Sequence, residues 1–376
     1  MTPPPRILHC HSTFSAGGKE VRSVQLMNAF GSAFEHTIVS GEAEQTGARD
    51  LIGRDVGVNF PADFPALTGF PSPGRLVTIA QALKPYDLIL TYNWGAIDVV
   101  MAHTVFAKQF DLPPLIHHED GFNEDEVDQL KARRNWYRRA ALSRTSNLIV
   151  PSRVLERIAL NVWRQSPDKI VRIPNGIDTD AFAKKPNPGA LRVVKREGEF
   201  WVGTLAGLRP VKQLPMLVDA CVGLPENWHL VILGDGPEKD AIQNAAVEAE
   251  IAHRVHLPGA VKDPASVIGL FDVFALSSRS EQFPLSVVEA MAAGLPVVAP
   301  EVGDIRSILS EDNRTFIAVP NDTVALAQML EELAADADLR RLVGAANKAK
   351  ARAEFDQSDM IARYRELYSK AVERPI

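Results

Sequence analysis

The sequence predicts an α/β protein made of two Rossmann-like, doubly wound domains that face a cleft. Three observations predict it. Short β-branched runs alternate with helical patterns along the whole chain, as in parallel sheets joined by crossover helices. At 376 residues the chain is longer than the about 250–300 residues at which a single core stops growing. Near residues 174–198 the periodic pattern gives way to Pro, Gly, Asn and charge, which predicts a linker. The expected division is a first domain over 1–185, a second over 186–355, and a closing segment over 356–376.

In the first half "RILHCH", "HTIVSG", "DLILTY", "PPLIHH" and "NLIVPS" read as strands, each short, apolar and followed by a turn signal. In the second half the strands are "FWVGTLAGL", "HLVILGDG", "RVHLPG", "VFALSS", "PVVAP" and "TFIAVP". The stretch Pro284 to Ala293 carries a helical pattern that Gly294 ends. In "FDQSDMIARYRELYSKAVE", Met360, Ile361, Tyr364, Leu367 and Tyr368 fall at helical spacing behind Ser358, the expected N-cap. The closing segment is therefore a helix with one apolar face.

Composition narrows the function. A net charge of −6 lacks the basic balance of a nucleic-acid binder, so no nucleic-acid partner is expected. Cys10 and Cys221 follow no metal or redox spacing and read as small buried residues of a reducing compartment. The start "MTPPPRILHCHSTF" has no basic segment leading into a long apolar run, and no window reaches a membrane span. The expected location is the cytoplasm, with contact to a membrane surface left open.

In open parallel sheets ligands bind beyond the carboxyl ends of the strands, so the loops there carry the candidates. "SEQFPLSVVEAMAAGLPVVAP" places Glu281 in such a loop and Glu289 about one turn inside the next helix, so both carboxylates can face one pocket. The helix start between them offers free amides to an anion such as a diphosphate. The same spacing also fits a loop charge and a first-turn acid that only favours the helix dipole. Arg209 and Lys212 follow "FWVGTLAGL" and would clamp a diphosphate as a guanidinium fork and a point charge. As an isolated pair they would read as surface cations.

In the first half Gly17 and Gly18 lie between a strand and a helix, without the GxGxxG pattern, and read equally as a ligand approach or a tight turn. His117, His118, Glu119 and Asp120 cluster past a strand at a spacing that matches no standard zinc pattern, so polar contacts to a sugar are favoured over a metal. Glu124, Asp125 and Glu126 read as a solvated helix start. Two DxD triplets, Asp178/Asp180 and Asp336/Asp338, follow no strand and are taken as chance. The basic stretch 130–144 carries Lys131, Arg133, Arg134, Arg138, Arg139 and Arg144 around Trp136 and Tyr137. It reads either as a surface helix packing its aromatic face or as a contact with an anionic membrane.

Taken together, Gly17-Gly18, "VPSRVL", "IPNGID", Arg209 with Lys212, "LGDGP" and the two glutamates eight apart resemble the family-4 glycosyltransferases of the GT-B fold. The resemblance runs over nearly the whole chain. It implies GT-B architecture with a last helix that crosses back to the first domain. It also implies retaining transfer of a sugar from a nucleoside diphosphate sugar to an acceptor hydroxyl, with no cofactor and no metal. The acceptor expected is a glycan or lipid-linked glycan of exopolysaccharide or envelope assembly. A sugar-nucleotide epimerase and a non-catalytic sugar-nucleotide binder are the alternatives.

By the same resemblance Glu281 contacts the donor sugar and Glu289 the ribose, while Phe283, Pro284, Leu285 and Ser286 line the sugar and diphosphate. Arg209 and Lys212 hold the diphosphate, Gly17 and Gly18 approach the donor phosphate, and loops around Gly234 and Val261 edge the base. Either His118 or Asp120 faces the donor sugar. Gln282 stands where the family commonly has glycine.

Overall fold

In the computed structural model, residues 3–375 are described apart from Ala16, Ala43, Asn123, Val127 and Asp128, and apart from the Glu124 side chain. The chain folds into two units, Met1–Asn175 with Asp359–Ile376, and Gly176–Ser358. Residues 176–185, expected with the first domain, belong to the second. The Ile177 N–H donates to the Phe355 carbonyl (3.0 Å), the Gln357 N–H donates to the Ile177 carbonyl (2.8 Å), and Phe182 sits in the second unit's core.

The first unit holds seven parallel strands: β1 (Arg6–His11), β2 (Glu35–Ser40), β3 (Gly57–Asn59), β4 (Leu88–Tyr92), β5 (Leu115–His118), β6 (Asn147–Val150) and β7 (Ile170–Arg172), in the order β3-β2-β1-β4-β5-β6-β7. The edge strands β3 and β7 escaped the sequence reading because three residues are too few to show a period. Alternation along the strands splits the core. Leu8, Cys10 and Ile89 face one side of the sheet, while Ile7, Leu88, Leu90 and Tyr92 face the other.

The helix Gln357–Ala371 covers that second side through Met360, Tyr364 and Tyr368, all buried, with Ile361 and Leu367 packed beside them. Its start is not capped by Ser358. Asp356 accepts the Ser358 N–H (2.9 Å) and hydroxyl (2.5 Å), because the cap must precede the first helical residue.

The second unit holds β8 (Phe200–Leu205), β9 (Trp228–Leu233), β10 (Val255–Gly259), β11 (Val273–Ala275), β12 (Val297–Pro300) and β13 (Ile317–Ala318), in the order β10-β9-β8-β11-β12-β13. Trp201, Val231 and Leu233 face one core cluster and Val202, Leu230 and Ile232 the other. The two DxD triplets have a local explanation. Asp178 accepts the Ala181 N–H (2.9 Å) and Asp336 the Asp338 and Leu339 N–H groups (both 2.9 Å), so both cap helices. Cys10 and Cys221 are free and buried. No helix among the described residues is long and apolar enough to cross a membrane.

The first unit's interior is unusually rich in histidine. His9 shares a hydrogen bond with His36 (2.9 Å) and another with the Tyr92 hydroxyl (3.1 Å), and His118 stacks on Tyr92 with ring centres 4.6 Å apart. Burial lowers the pKa of His9, His36 and His118, that of His36 to about 4. The unfolded chain then binds more protons than the native one below about pH 6.5, so stability is full above that pH and falls as pH drops toward 4. His36 alone accounts for roughly 3 kcal/mol at pH 4 at about 1.4 kcal/mol per pKa unit. Urea unfolding at pH 7.5, 6 and 5 should show a falling midpoint, and H36Q should flatten the slope.

Candidate functional site

Each sheet has one point at which successive connections leave in opposite directions, and there the following loops diverge to make a crevice. In the second unit this lies between β8 and β11. The loop after β8 carries Arg209 and Lys212, and the loop after β11 carries Glu281, so the fold brings together residues about seventy positions apart.

The two loops are bolted together through the backbone carbonyls of Lys212 and Val211. The Ser277 hydroxyl donates to the Lys212 carbonyl (2.7 Å) and the Arg279 N–H donates to the Val211 carbonyl (2.8 Å). Lys212 Nζ forms an ion pair with Glu281 Oε1, which also accepts the Ser278 hydroxyl (2.6 Å). Arg209 lies outside this pair, exposed, just before the short turn Pro210–Lys212. Lys212 is thus on a tight turn and not on the helix that follows. The helix itself, Leu214–Ala220, begins after Gln213, whose φ of 48° reverses the chain.

After Glu281 the chain passes Phe283, half-buried against the Phe355 ring at 5.7 Å between centres, and enters the helix Leu285–Ala292 at Pro284. No side chain caps this start, so the first amides, at Leu285 and Ser286, are free of an intrahelical partner. Val287, Val288, Ala290 and Met291 are buried and fix the helix on the sheet. Glu289 lies one turn in, on the remaining face. Its Oε2 is shielded from solvent and has no hydrogen-bond partner among the described residues, and burial pushes its pKa up to about 7. Gln282 Oε1 is likewise buried and unpartnered.

Glycine lets a third loop close on the first. Gly234, at φ 153°, sits so near the loop after β8 that a Cβ would lie 1.8 Å from the Ala206 carbonyl oxygen. Beside it, Asp235, Gly259 and Val261 edge a cavity of about 590 Å³.

The first-unit candidates separate. Gly17 is the N-cap of the helix Gly18–Phe30, and the Glu20 carboxylate lies against it, 2.9 Å from where a Cβ would stand. Lys19 pairs with Glu20, and its pKa falls to about 8, through burial first. His118 does not face solvent. Its Nδ1–H donates to the Thr91 carbonyl (3.3 Å), and its Nε2 accepts the Tyr368 hydroxyl (3.2 Å). Both nitrogens are spent on the core, which corrects the expectation that His118 could touch a sugar. Asp120 keeps some exposure and is gripped by the two guanidinium nitrogens of Arg22, one at 2.9 Å. Burial works against the Arg22 charge, but Asp120 outweighs it and raises its pKa. The Asp120 N–H donates to Asn93 Oδ1 (2.7 Å).

Two further expectations change. Glu126 is not a solvated helix start: it is 2% exposed and bonds bidentately to Arg138 at 2.9 and 3.0 Å, and also to Arg134. Of the two readings of the basic helix, the one that packs its aromatic face does not hold for Trp136, which is 69% exposed on the helix Ala132–Ala141, with Arg139 over its ring. Sequence reasoning missed Arg22 and Arg138, although both stand in apolar helical stripes, Arg22 with Leu26 and Phe30, and Arg138 with Ala141 and Leu142.

Comparison with known proteins decides the family. The family described as "Glycosyl transferases group 1" matches residues 192–350, and the one described as "Glycosyltransferase Family 4" matches residues 16–181. The chain belongs to the family-4 glycosyltransferases. The fold of this family-4 chain is GT-B, similar to a crystal structure of Anabaena HepE in complex with UDP, with a TM-score of 0.80 at 20% identity over 97% of this chain and 100% of that one. Among curated relatives it is 26% identical to N-acetyl-alpha-D-glucosaminyl L-malate synthase of Bacillus anthracis over 44% of each chain. It is 26% identical to UDP-Gal:alpha-D-GlcNAc-diphosphoundecaprenol alpha-1,3-galactosyltransferase of Escherichia coli over 66% of each. The chain spans from under half to about two thirds of the length of these two relatives.

The site geometry makes Gly234 sensitive. Gly234→Ala should displace the loop after β8 and weaken nucleoside diphosphate binding at least tenfold, measured by calorimetry, while the far-UV circular dichroism spectrum is unchanged.

Proposed function

We propose that this chain is a retaining glycosyltransferase that moves a sugar from a nucleoside diphosphate sugar to an acceptor hydroxyl. The observation that carries the reading is the Glu289 carboxyl. A buried carboxylate oxygen without a partner is costly to keep. It lies one turn beyond an uncapped helix start, in the same switch-point crevice as Lys212, Arg209 and Glu281. A donor would satisfy all of these at once: ribose hydroxyls on Glu289, diphosphate on the amides of Leu285 and Ser286 with Arg209 and Lys212, and sugar beside Glu281, Phe283 and Pro284. Its base would enter the cavity edged by Asp235 and Val261, next to Gly234. The HepE structure, of like fold and in complex with UDP, supports a nucleotide as the ligand.

In the proposed reaction the bond between the sugar's anomeric carbon and the diphosphate oxygen breaks while the acceptor oxygen bonds to the same face. The departing phosphate oxygen takes the acceptor's proton. Arg209, Lys212 and the helix start then stabilise the charge that builds on the leaving group, in the role a divalent cation plays elsewhere. Glu281 fixes Lys212 through their ion pair and offers a carboxylate to the sugar hydroxyls.

The acceptor we assign is a lipid-linked glycan, held by the first unit at the cytoplasmic face of a membrane. The Escherichia coli relative, whose name specifies a diphosphoundecaprenol substrate, supports this. So does the helix Ala132–Ala141, which exposes Trp136 with Arg133 and Arg139, an aromatic anchor among cations.

Lys212→Ala and Glu281→Ala should each lower transfer at least a hundredfold with the thermal midpoint shifted by only a few degrees, and Lys212→Ala should also weaken nucleoside diphosphate binding. Wild-type transfer in both variants would refute the assignment. Vesicles rich in phosphatidylglycerol should bind the protein at low salt and release it at high salt. The double variant Trp136→Ala/Arg139→Ala should partition about tenfold less, given about 1 kcal/mol per cation near the surface.

A further inference from the structure

The first unit contains a cavity of about 400 Å³ that the donor reading does not use. It lies between the loop 67–71, the turn after β4 and the start of the helix Ala132–Ala141. Trp94 and Gly95 in its wall follow β4 directly. Gly95 is so close to the end of β1 that a Cβ there would come within 2.2 Å of the Ser12 Cβ. The cavity therefore adjoins the first sheet's own switch point, between β1 and β4, where an open sheet is suited to hold a ligand.

Its lining has two characters. Leu67, Ile97 and Trp94 supply apolar wall, and Lys131, Arg133 and Arg134 supply charge. The acid in the lining, Asp98, is already neutralised, accepting from Arg75 Nη1 and from the Tyr137 hydroxyl at 2.7 Å each. Glu126 is shared between the buried Arg138 and Arg134. Asp125 is shared between Lys131 and Arg134, and Arg133 has no acidic partner among the described residues. Lys131, Arg133 and Arg134 thus meet two carboxylates, exposed Asp125 and buried Glu126, the second of which Arg138 also neutralises, and the excess positive charge lies at Arg133. Next to this charged edge Phe70, between lining residues Gly69 and Pro71, is 82% exposed. An exposed phenyl ring beside an apolar wall continues that wall outward.

We propose that this cavity binds an amphiphilic phosphate ester. Its phosphate or diphosphate sits on Lys131 and Arg133, and its hydrocarbon chain runs over Leu67, Ile97 and Trp94 and leaves past Phe70. Guanidinium and ammonium groups are the residues that hold phosphate oxygens, and the volume is within the about 300–1,000 Å³ of small-molecule sites. A free phosphate or a simple sugar would leave the apolar wall unused, and a plain hydrocarbon would leave the cations unused. The binding does not depend on the glycosyl-transfer reading; its use, to present the acceptor by its lipid phosphate, rests on it.

Calorimetry on the full chain with geranyl diphosphate, inorganic diphosphate and geraniol tests this, with UDP, GDP and ADP titrated separately to report on the second unit. Geranyl diphosphate should bind at least tenfold more tightly than either fragment. The double variant Lys131→Ala/Arg133→Ala should weaken it at least tenfold, and so should Thr68→Trp, which fills the cavity without touching a charge. Neither variant should alter nucleoside diphosphate affinity more than twofold. Absence of geranyl diphosphate binding, equal binding of inorganic diphosphate, or binding that survives either variant would overturn the proposal. Failure of all nucleoside diphosphates to bind would instead refute the donor site.

Discussion

Between β8 and β11 the chain departs from neighbouring strands in opposite directions, and two hydrogen bonds hold the departing loops together. The Ser277 hydroxyl and the Arg279 N–H reach the carbonyls of Lys212 and Val211. Because these bonds engage backbone, they fix the loops whatever the charged side chains do. The Lys212–Glu281 ion pair, the entry at Pro284 and the depth of Glu289 all follow from that lock. Gly303 serves it from behind, since a Cβ there would stand 2.3 Å from the Glu281 carbonyl oxygen. The site is preorganised by the switch point before any ligand arrives, and under the proposed function this places charge where the leaving group needs it.

The two units distribute polar groups differently. In the second, cations and carboxylates line an open crevice, where Arg209 is exposed and Glu289 Oε2 has no hydrogen-bond partner among the described residues. In the first, the polar groups are turned inward: Arg22 grips Asp120, Arg138 grips Glu126, and His118 hands both nitrogens to Thr91 and Tyr368. Removing one partner of such a buried pair strands a charge, at about 3–5 kcal/mol. The inward network ties the closing helix to β5 and holds the loop after it, so it acts on position and not on chemistry. What the first unit leaves at its surface is the basic, aromatic edge around Trp94, Arg133 and Trp136.

The parallel sheets were legible because buried strands are continuous apolar runs, and the second-unit candidates were legible because Arg209, Lys212 and Glu281 sit past such runs and Glu289 one turn inside the helix that follows. The inward network was harder to read. A charged residue is solvated in most proteins, so Glu126 and Arg138 read as surface until the stripe that Arg138 shares with Ala141 and Leu142 is given more weight than its charge. His118 misled for the opposite reason: a histidine past a strand invites a catalytic role, and only the distant helix carrying Tyr368 shows that it is enclosed. Asp178, Asp336 and Asp356 all proved to be caps, a local role that spacing of acids alone does not separate from ion binding.

The central claim is that the Glu289 carboxyl keeps one buried oxygen without a partner among the described residues until ribose hydroxyls supply one. Its pKa, read by carbon-13 glutamate spectra with Glu289→Gln for assignment, tests this directly. The account predicts a value near 7 in the free protein, a fall of more than one unit when a nucleoside diphosphate binds, and little change with the 2′,3′-dideoxy analogue. A carboxyl that titrates near 4.5 when free, or that responds equally to both ligands, would contradict it.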